Sequence, residues 1–481
     1  MSDRSVTQQP KSSFKGKIIM IGCGSIGQAI IPVLGNHLDG IYSRTTVLSA
    51  DEAGRGIAER FGIKYIHCNL TPGNFKSTLK SYVRPGDILL NLSVEVSSND
   101  LARFCAGQDV IYIDTSIEPW PDIFNNPMVE LHNRTNYAIR VQTLSLAAEL
   151  GKDSPTAVMD HGANHGIVSH FVKRALLNLN RDIKGRTSKP ESREEWANLA
   201  RELNITTIQI SERDTQASQR PKRQQEFVNT WSIGGFIDEL MQPAELALGT
   251  FEKKRPKGSQ EYGPGCGSIF LERPGASTFA LSWVPSIGSF QGMLVTHDEV
   301  IALADYLSIR EDGKTIYRPT VMFVYHPCDD AMLSALELEG NGWVPQTARR
   351  RLGPDIIEGM DELGVLLAGH EKNAYWYGSQ LSIDEARRHV PHANATSMQV
   401  VSGAISALLW AIKNPRRGIV EPEDLDFDFC LEIAEQYLGK MVGEFTDWTP
   451  LEGRGKYFPE KLDVKNPWQL QNIRSRQWYG E

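Results

Sequence analysis

Cysteine is scarce and scattered: six thiols (Cys23, Cys68, Cys105, Cys266, Cys328 and Cys430) in 481 residues, with no Cys-X-X-Cys pair. That spacing excludes a disulfide framework and a thiolate zinc site, and it fits a reducing compartment. Basic charge is not in excess; the formal net charge of −8 argues against nucleic acid as a partner and suits a cationic ligand. The polar first fifteen residues lack the apolar stretch of a secretory signal and read as a disordered tail. The most apolar helical stretch, residues 400–412, is too short to span a bilayer. Low-complexity tracts and internal repeats are missing as well. With 41% hydrophobic and 23% charged residues over this length, the chain is expected to be a cytoplasmic enzyme of two or three globular domains, without a membrane contact.

What is present starts at residues 16–27, G-K-I-I-M-I-G-C-G-S-I-G, an apolar strand running into a glycine fingerprint. Gly22 permits a tight turn, Gly24 lets backbone approach a pyrophosphate, and Gly27 lets the following helix pack on the strand. Ser25 and Ile26 open that helix, whose amino end offers unpaired N–H groups to phosphate. Asp51, twenty-four residues beyond Gly27, ends a second apolar run where an acid binds ribose hydroxyls. An acid there repels a 2′-phosphate, so NAD is favoured over NADP. Short apolar runs over 17–21, 45–50, 64–67, 87–92, 110–114 and 137–141 alternate with helical stretches, the rhythm of a doubly wound parallel sheet in a Rossmann-type α/β domain over 16–150. Ligands bind beyond the carboxyl ends of such strands, which places Ser93, Glu95, Thr115 and Glu118 beside the nicotinamide.

From about residue 155 the texture changes. A loop, D-H-G-A-N-H-G, opens a helix over 167–179; polar residues 181–202 interrupt the pattern; strand-like runs then follow to about 325. These describe a second, α+β substrate-binding and dimerisation domain over 151–380. A mainly helical part over 381–481 includes helices over 397–413 and 421–437, with packing back on the first domain left open.

The second domain carries Glu212, Glu239 and Glu299. Trp231 and Glu239, eight residues apart, fall about two helical turns apart on one face. Carboxylates and an indole suit an organic cation: an aromatic face attracts ammonium by about 0.5–2 kcal/mol, and carboxylates offset the desolvation of a buried amine. From spacing alone each such Glu is more often a surface residue, and only convergence on one pocket changes that. No metal site is expected: the H-P-C-D-D run at 326–330 lacks a second ligand cluster, and hydrogen bonding explains His161, His165 and His170 better. G-P-G-C-G at 263–267 has no preceding strand and reads as a turn.

Nearly the whole chain after the tail resembles the bacterial homospermidine synthases. The segments are MIGCGSIGQ (20–28), NLSVEVSS (91–98), IDTSIEPW (113–120), HGANHGIVSHFVK (161–173), ERDTQ (212–216), EFVNTWSIGGF (226–236), QPAELALGT (242–250), KNAYWYGSQL (372–381) and NATSMQV (394–400), among others. The resemblance implies an aminobutyl transferase, usually a homodimer with a saccharopine dehydrogenase-like fold, that joins two putrescines into homospermidine, releases ammonia and uses NAD as a prosthetic group. By motif, Trp231 is the aromatic face for an ammonium, Glu239 a carboxylate holding a substrate amine, and His297 with Glu299 serve amine anchoring and proton transfer. Glu212, Glu118, Asn164 and Glu95 complete the polar wall. Two departures stand out: Glu95 where the family tends to have Asp, and His165 where the family pattern is Gly-Ala-Asn-Pro-Gly. The alternative is a net NAD(P)H-consuming condensing dehydrogenase of the saccharopine or carboxynorspermidine type, whose carboxylated substrate calls for Arg or Lys in the wall. A non-catalytic nucleotide sensor would keep the glycines and Asp51 without needing Trp231, Glu239 and Glu299 together.

Overall fold

A computed structural model describes residues 11–475 apart from 125 and 263–266. Residues 1–10 of the expected tail and most of the 263–267 turn therefore lie outside the described residues, whereas Lys11 donates to the Gly35 carbonyl at 2.7 Å. Seven parallel strands form the first sheet, in the order Ile419–Val420, Ala157–Val158, Ile111–Asp114, Ile88–Asn91, Ile18–Ile21, Thr45–Ser49, Lys64–His67. The order reverses at Ile18–Ile21, so the crevice beyond that strand and Ile88–Asn91 is the switch point where a nucleotide binds. Ile18, Met20, Ile88 and Leu90 face one side of the sheet, against Ile30, Ile31 and Leu34 of helix Ser25–His37. The same core takes in Met398, Val401, Ile405 and Leu408 of helix Ala395–Lys413. That helix is long and apolar enough to cross a membrane, yet 89% of its apolar window is buried inside the protein.

Residues 137–141, expected as a strand, lie inside helix Asn136–Leu150, and the sixth strand is Ala157–Val158. The Thr135 side chain caps that helix by accepting from the Ala138 N–H, and Ile139, Thr143 and Leu146 repeat at helical spacing on its buried side. A local run of Tyr, Ile and Val concealed that longer period. The polar stretch 181–202 similarly contains helix Arg193–Glu202, which buries only Trp196, Ala197, Leu199 and Ala200.

The second sheet is mixed. Its central strand Thr207–Asp214 runs parallel to Thr320–His326 and antiparallel to Met360–His370, which continues through Asn373–Ser382 to Lys440–Thr446. Strand Pro243–Ala247 and hairpin Phe279–Val284/Gly288–Met293 extend the other side. The last hundred residues serve both halves, since Ile419–Val420 pairs into the first sheet and Lys440–Thr446 into the second. Of the expected helix over 421–437, a 3-10 turn Pro422–Asp424 and helix Phe427–Ala434 form.

Candidate active site

Between the two sheets lies a cleft of about 620 Å³ that gathers residues from more than three hundred positions of sequence. On the first-domain side are Gly22, Gly24, Ser25, Ile26, Asp51, Ser93, Glu95, Thr115 and Glu118; on the other are Asn164, Glu212, Trp231, Glu239 and His297. Two expected residues lie behind the wall. A Cβ on Gly27 would stand 2.9 Å from the Gly22 carbonyl oxygen, so this glycine sets helix-on-strand packing. Glu299 is wholly buried and reaches the cleft only through His297. It sits in the inward-facing first turn of helix Asp298–Tyr306, two residues past the His297 N-cap, so of the expected His297–Glu299 pair it is His297 that faces the cleft.

The nucleotide end fits its expected occupant. Gly22 has φ +83°, and a Cβ there would lie 2.7 Å from the Leu92 carbonyl, so only glycine makes this turn. Gly24, at the start of helix Ser25–His37, carries no side-chain cap, and nothing comes nearer to the place of its Cβ than the Arg351 Nη1 at 3.8 Å, leaving the first-turn amides for a phosphate. Asp51 is exposed at the end of Thr45–Ser49, its carboxylate steadied by the Ala53 N–H at 2.8 Å.

The other end is a bed of carboxyls. Burial pushes Glu118 up to about 7; its oxygens accept from Ser116 Oγ at 3.1 Å and from the Glu95 N–H at 3.1 Å. Glu95 adopts φ 60°, which turns its backbone N–H onto Glu118 and leaves its own side chain exposed. Burial likewise raises Glu212 to about 8, against the Asn164 amide that donates to it at 2.5 Å. Glu239 is raised to about 8, first by burial and then by the neighbouring Glu299, Glu118 and Glu212, with His297 opposing. Burial works to lower His297, but Glu299 and Glu239 overcome it and hold the imidazole up at about 10. His297 is thus an imidazolium at neutral pH, bonded to Glu299 at 2.6 Å and facing Glu239 at 3.8 Å.

Trp231 does not share the helix with Glu239. It precedes Ser232, whose hydroxyl accepts from the Gly235 N–H and caps helix Ile233–Met241. Both residues nevertheless line the cleft, with the indole leaning on Phe236 at 5.5 Å between ring centres. His165 is tied from both sides, Nδ1 to Asp160 at 2.7 Å and Nε2 to Glu423 at 3.3 Å, while its neighbour Asn164 reaches Glu212. The two ion pairs fix the loop without proline. His161 and His170 bond each other at 2.9 Å through Nε2, with Cys430 completing a buried group whose candidate ligand atoms lie within 4.8 Å of one another. The ring nitrogen of His326 bonds the Pro327 carbonyl at 2.9 Å.

Sequence reasoning missed Asp160, Asp238, Asp298, Arg349 and Arg351 on the wall, and Asp214 and Asp361 beneath it. Asp238 and Asp298 adjoin residues already singled out; the arginines carry no motif signal and enter through a distant strand.

Residues 18–158 match the family model for the saccharopine dehydrogenase NADP binding domain, and residues 162–447 that for the saccharopine dehydrogenase C-terminal domain. Homospermidine synthase of Blastochloris viridis is 45% identical over 463 residues, covering 95% of this chain and 97% of the relative. That of Mesorhizobium japonicum is 44% identical over 469 residues, covering 95% and 96%. The crystal structure of homospermidine synthase from Legionella pneumophila in complex with NAD superposes with a TM-score of 0.91 at 42% identity, over 97% of this chain and 99% of that one. Saccharopine dehydrogenase (L-Glu forming) of Saccharomyces cerevisiae shares the fold alone, with a TM-score of 0.51 at 10% identity. Similarity that runs unbroken through both domains, and at this level of identity, makes the chain a member of the homospermidine synthase family.

Proposed function

We propose that this chain condenses two putrescines to homospermidine with loss of one ammonia, and that NAD occupies the nucleotide end of the cleft. One observation carries the reading: Glu212, buried, and Glu118 and Glu239, half-buried, all raised towards neutrality, share a wall with Trp231 beside the glycine turn. A diamine enters as a dication. An ammonium has no lone pair to support oxidation of the carbon next to it, so one amine must lose its proton while the other stays charged and held. Glu239 and Glu212, raised to about 8, take that proton through their ionised form, whose share grows as pH rises towards 8. Glu118 and the indole of Trp231 hold the distal ammonium. His297, kept charged by Glu299, faces the Glu239 carboxylate and eases its ionisation.

Bound NAD supplies reversible two-electron oxidation at the amine-bearing carbon, returning the electrons to the joined product. The second amine adds to the oxidised carbon, ammonia departs, and the nitrogen proton balance closes on the carboxyls. The site lies between domains, which keeps the oxidised amine from water. A cytoplasmic homodimer is part of this reading; the five described cysteines are free thiols suited to a reducing compartment. Every role is filled by a side chain or NAD, and no metal is assigned.

Putrescine carrying two deuteriums on each terminal carbon tests this. All label is expected in homospermidine even when free unlabelled NADH is added. Loss of one deuterium per product to the pool would show that the electrons leave on a dissociating cofactor and would refute storage on bound NAD; net condensation would instead appear as NAD(P)H consumed only when an amine is supplied together with a carbonyl-bearing carboxylate.

A further inference from the structure

Strand Ala348–Arg351 runs parallel to Glu226–Asn229, with Arg349 opposite Phe227 and Arg351 opposite Asn229. Successive side chains of a strand point to opposite faces. Arg350 points away from the cleft and is consumed by ion pairs to Asp355 at 2.8 Å, Glu226 at 3.3 Å and Asp330 at 3.4 Å. Arg349 and Arg351 point into the cleft, where they are the only Lys or Arg side chains on the described wall. Neither makes an ion pair among the described residues. The Nη1 of Arg351 lies 3.8 Å from the place of a Cβ on Gly24, and the Nη1 of Arg349 lies 3.9 Å from that of Gly234. Arg351 also feels Asp51, the ribose-binding acid of the fingerprint.

Two exposed guanidiniums without an ion-pair partner, in a cleft otherwise rich in carboxyls, suit an anion. The one anionic part of NAD is its pyrophosphate, and Gly24 is the residue above which the fingerprint seats that group. We propose that Arg351, with Arg349 beside it, is a clamp reaching from the second domain across the pyrophosphate, so that the cofactor is gripped by both domains. Arginine suits this task because its planar fork pairs with phosphate oxygens in two places at once. The same ribbon carries the substrate face: Glu226–Asn229 continues through Thr230 to Trp231. Cofactor grip and amine face therefore ride on one two-stranded piece, and release of the dinucleotide requires that piece to withdraw. An enzyme that must recover the electrons it has stored needs such retention between its half-reactions.

This inference rests on the NAD reading, and the test separates the two. NAD and NADP affinities and dissociation rates are measured by fluorescence on the intact protein for wild type, Arg351→Ala, Arg351→Lys and Asp51→Ala, at low and high salt. Thermal melting without nucleotide checks each fold. Arg351→Ala is expected to weaken NAD by about ten- to a hundredfold, mainly through faster release. Its binding should also lose most of the salt sensitivity seen in wild type, and Arg351→Lys should recover part of both. Unchanged NAD release and salt response in Arg351→Ala, with Asp51→Ala impaired, would overturn the clamp alone. A loss confined to NADP would assign the guanidinium to a 2′-phosphate and overturn it too. Failure of the wild type to bind NAD would overturn both readings.

Discussion

His297 stands between two carboxyls, its Nδ1 bonded to Glu299 at 2.6 Å and its Nε2 facing Glu239 at 3.8 Å. Only Glu239 of the two lines the cleft, so a proton gained or lost at the substrate is felt by Glu239 first and by Glu299 through the ring. The arrangement gives the pair separable roles.

Glu239→Gln keeps the shape and removes the charge that holds an amine and takes its proton. Turnover to homospermidine is expected to fall by about a hundred- to ten-thousandfold, the range for a positioned general base. Steady-state product formation measures it, and near-normal turnover would remove Glu239 from the assigned role.

Glu299→Gln acts at one remove. Loss of its charge lets burial dominate at His297, so the imidazole, now held at about 10, should titrate lower. The alkaline limb of the kcat profile should move to lower pH, while putrescine binding at pH 6.5 changes little. A shift in KM alone would place Glu299 on the substrate after all.

Trp231→Ala removes a π face worth about 0.5–2 kcal/mol to an ammonium, so KM for putrescine should rise by about two- to thirtyfold. Trp231→Phe should lie between, since a ring remains. Equal effects of the two variants would mean that the indole serves packing on Phe236.

The carboxyl bed also predicts a pH dependence of stability. Glu118, Glu212 and Glu239 are raised to about 7, 8 and 8, above the ordinary carboxyl value near 4.5. Between pH 4.5 and 8 the folded chain therefore binds more protons than the unfolded one, and stability falls as pH rises. His297, raised to about 10 from 6.5, adds in the same direction above pH 6.5. Tm of the amine-free protein should drop from pH 5.5 to 8, and saturating putrescine should restore most of it at pH 8. A flat profile, or putrescine stabilisation that is larger at pH 5.5, would contradict the cation-site account.

The nucleotide half was legible because its chemistry is local. Gly22, Gly24 and Asp51 lie on consecutive strand ends, and the turn at Gly22 admits no Cβ. The substrate half was legible only through resemblance, since Glu118, Glu212 and Glu239 come from three separated segments and nothing in spacing brings them together. The five-residue run 137–141, Tyr-Ala-Ile-Arg-Val, satisfies a strand pattern as well as a helical one, which conceals helix Asn136–Leu150. Arg349 and Arg351 were invisible for a different reason. Within A-R-R-R their alternation matters, and only the pairing with Glu226–Asn229 shows which face meets the cleft.

The most direct measurement supplies purified protein with excess putrescine and a trace of NAD, following homospermidine by amine analysis and absorbance at 340 nm together. The account predicts many product turnovers per NAD with no sustained rise at 340 nm. NADH accumulating in step with putrescine consumed, without homospermidine, would contradict it and leave an ordinary diamine dehydrogenase.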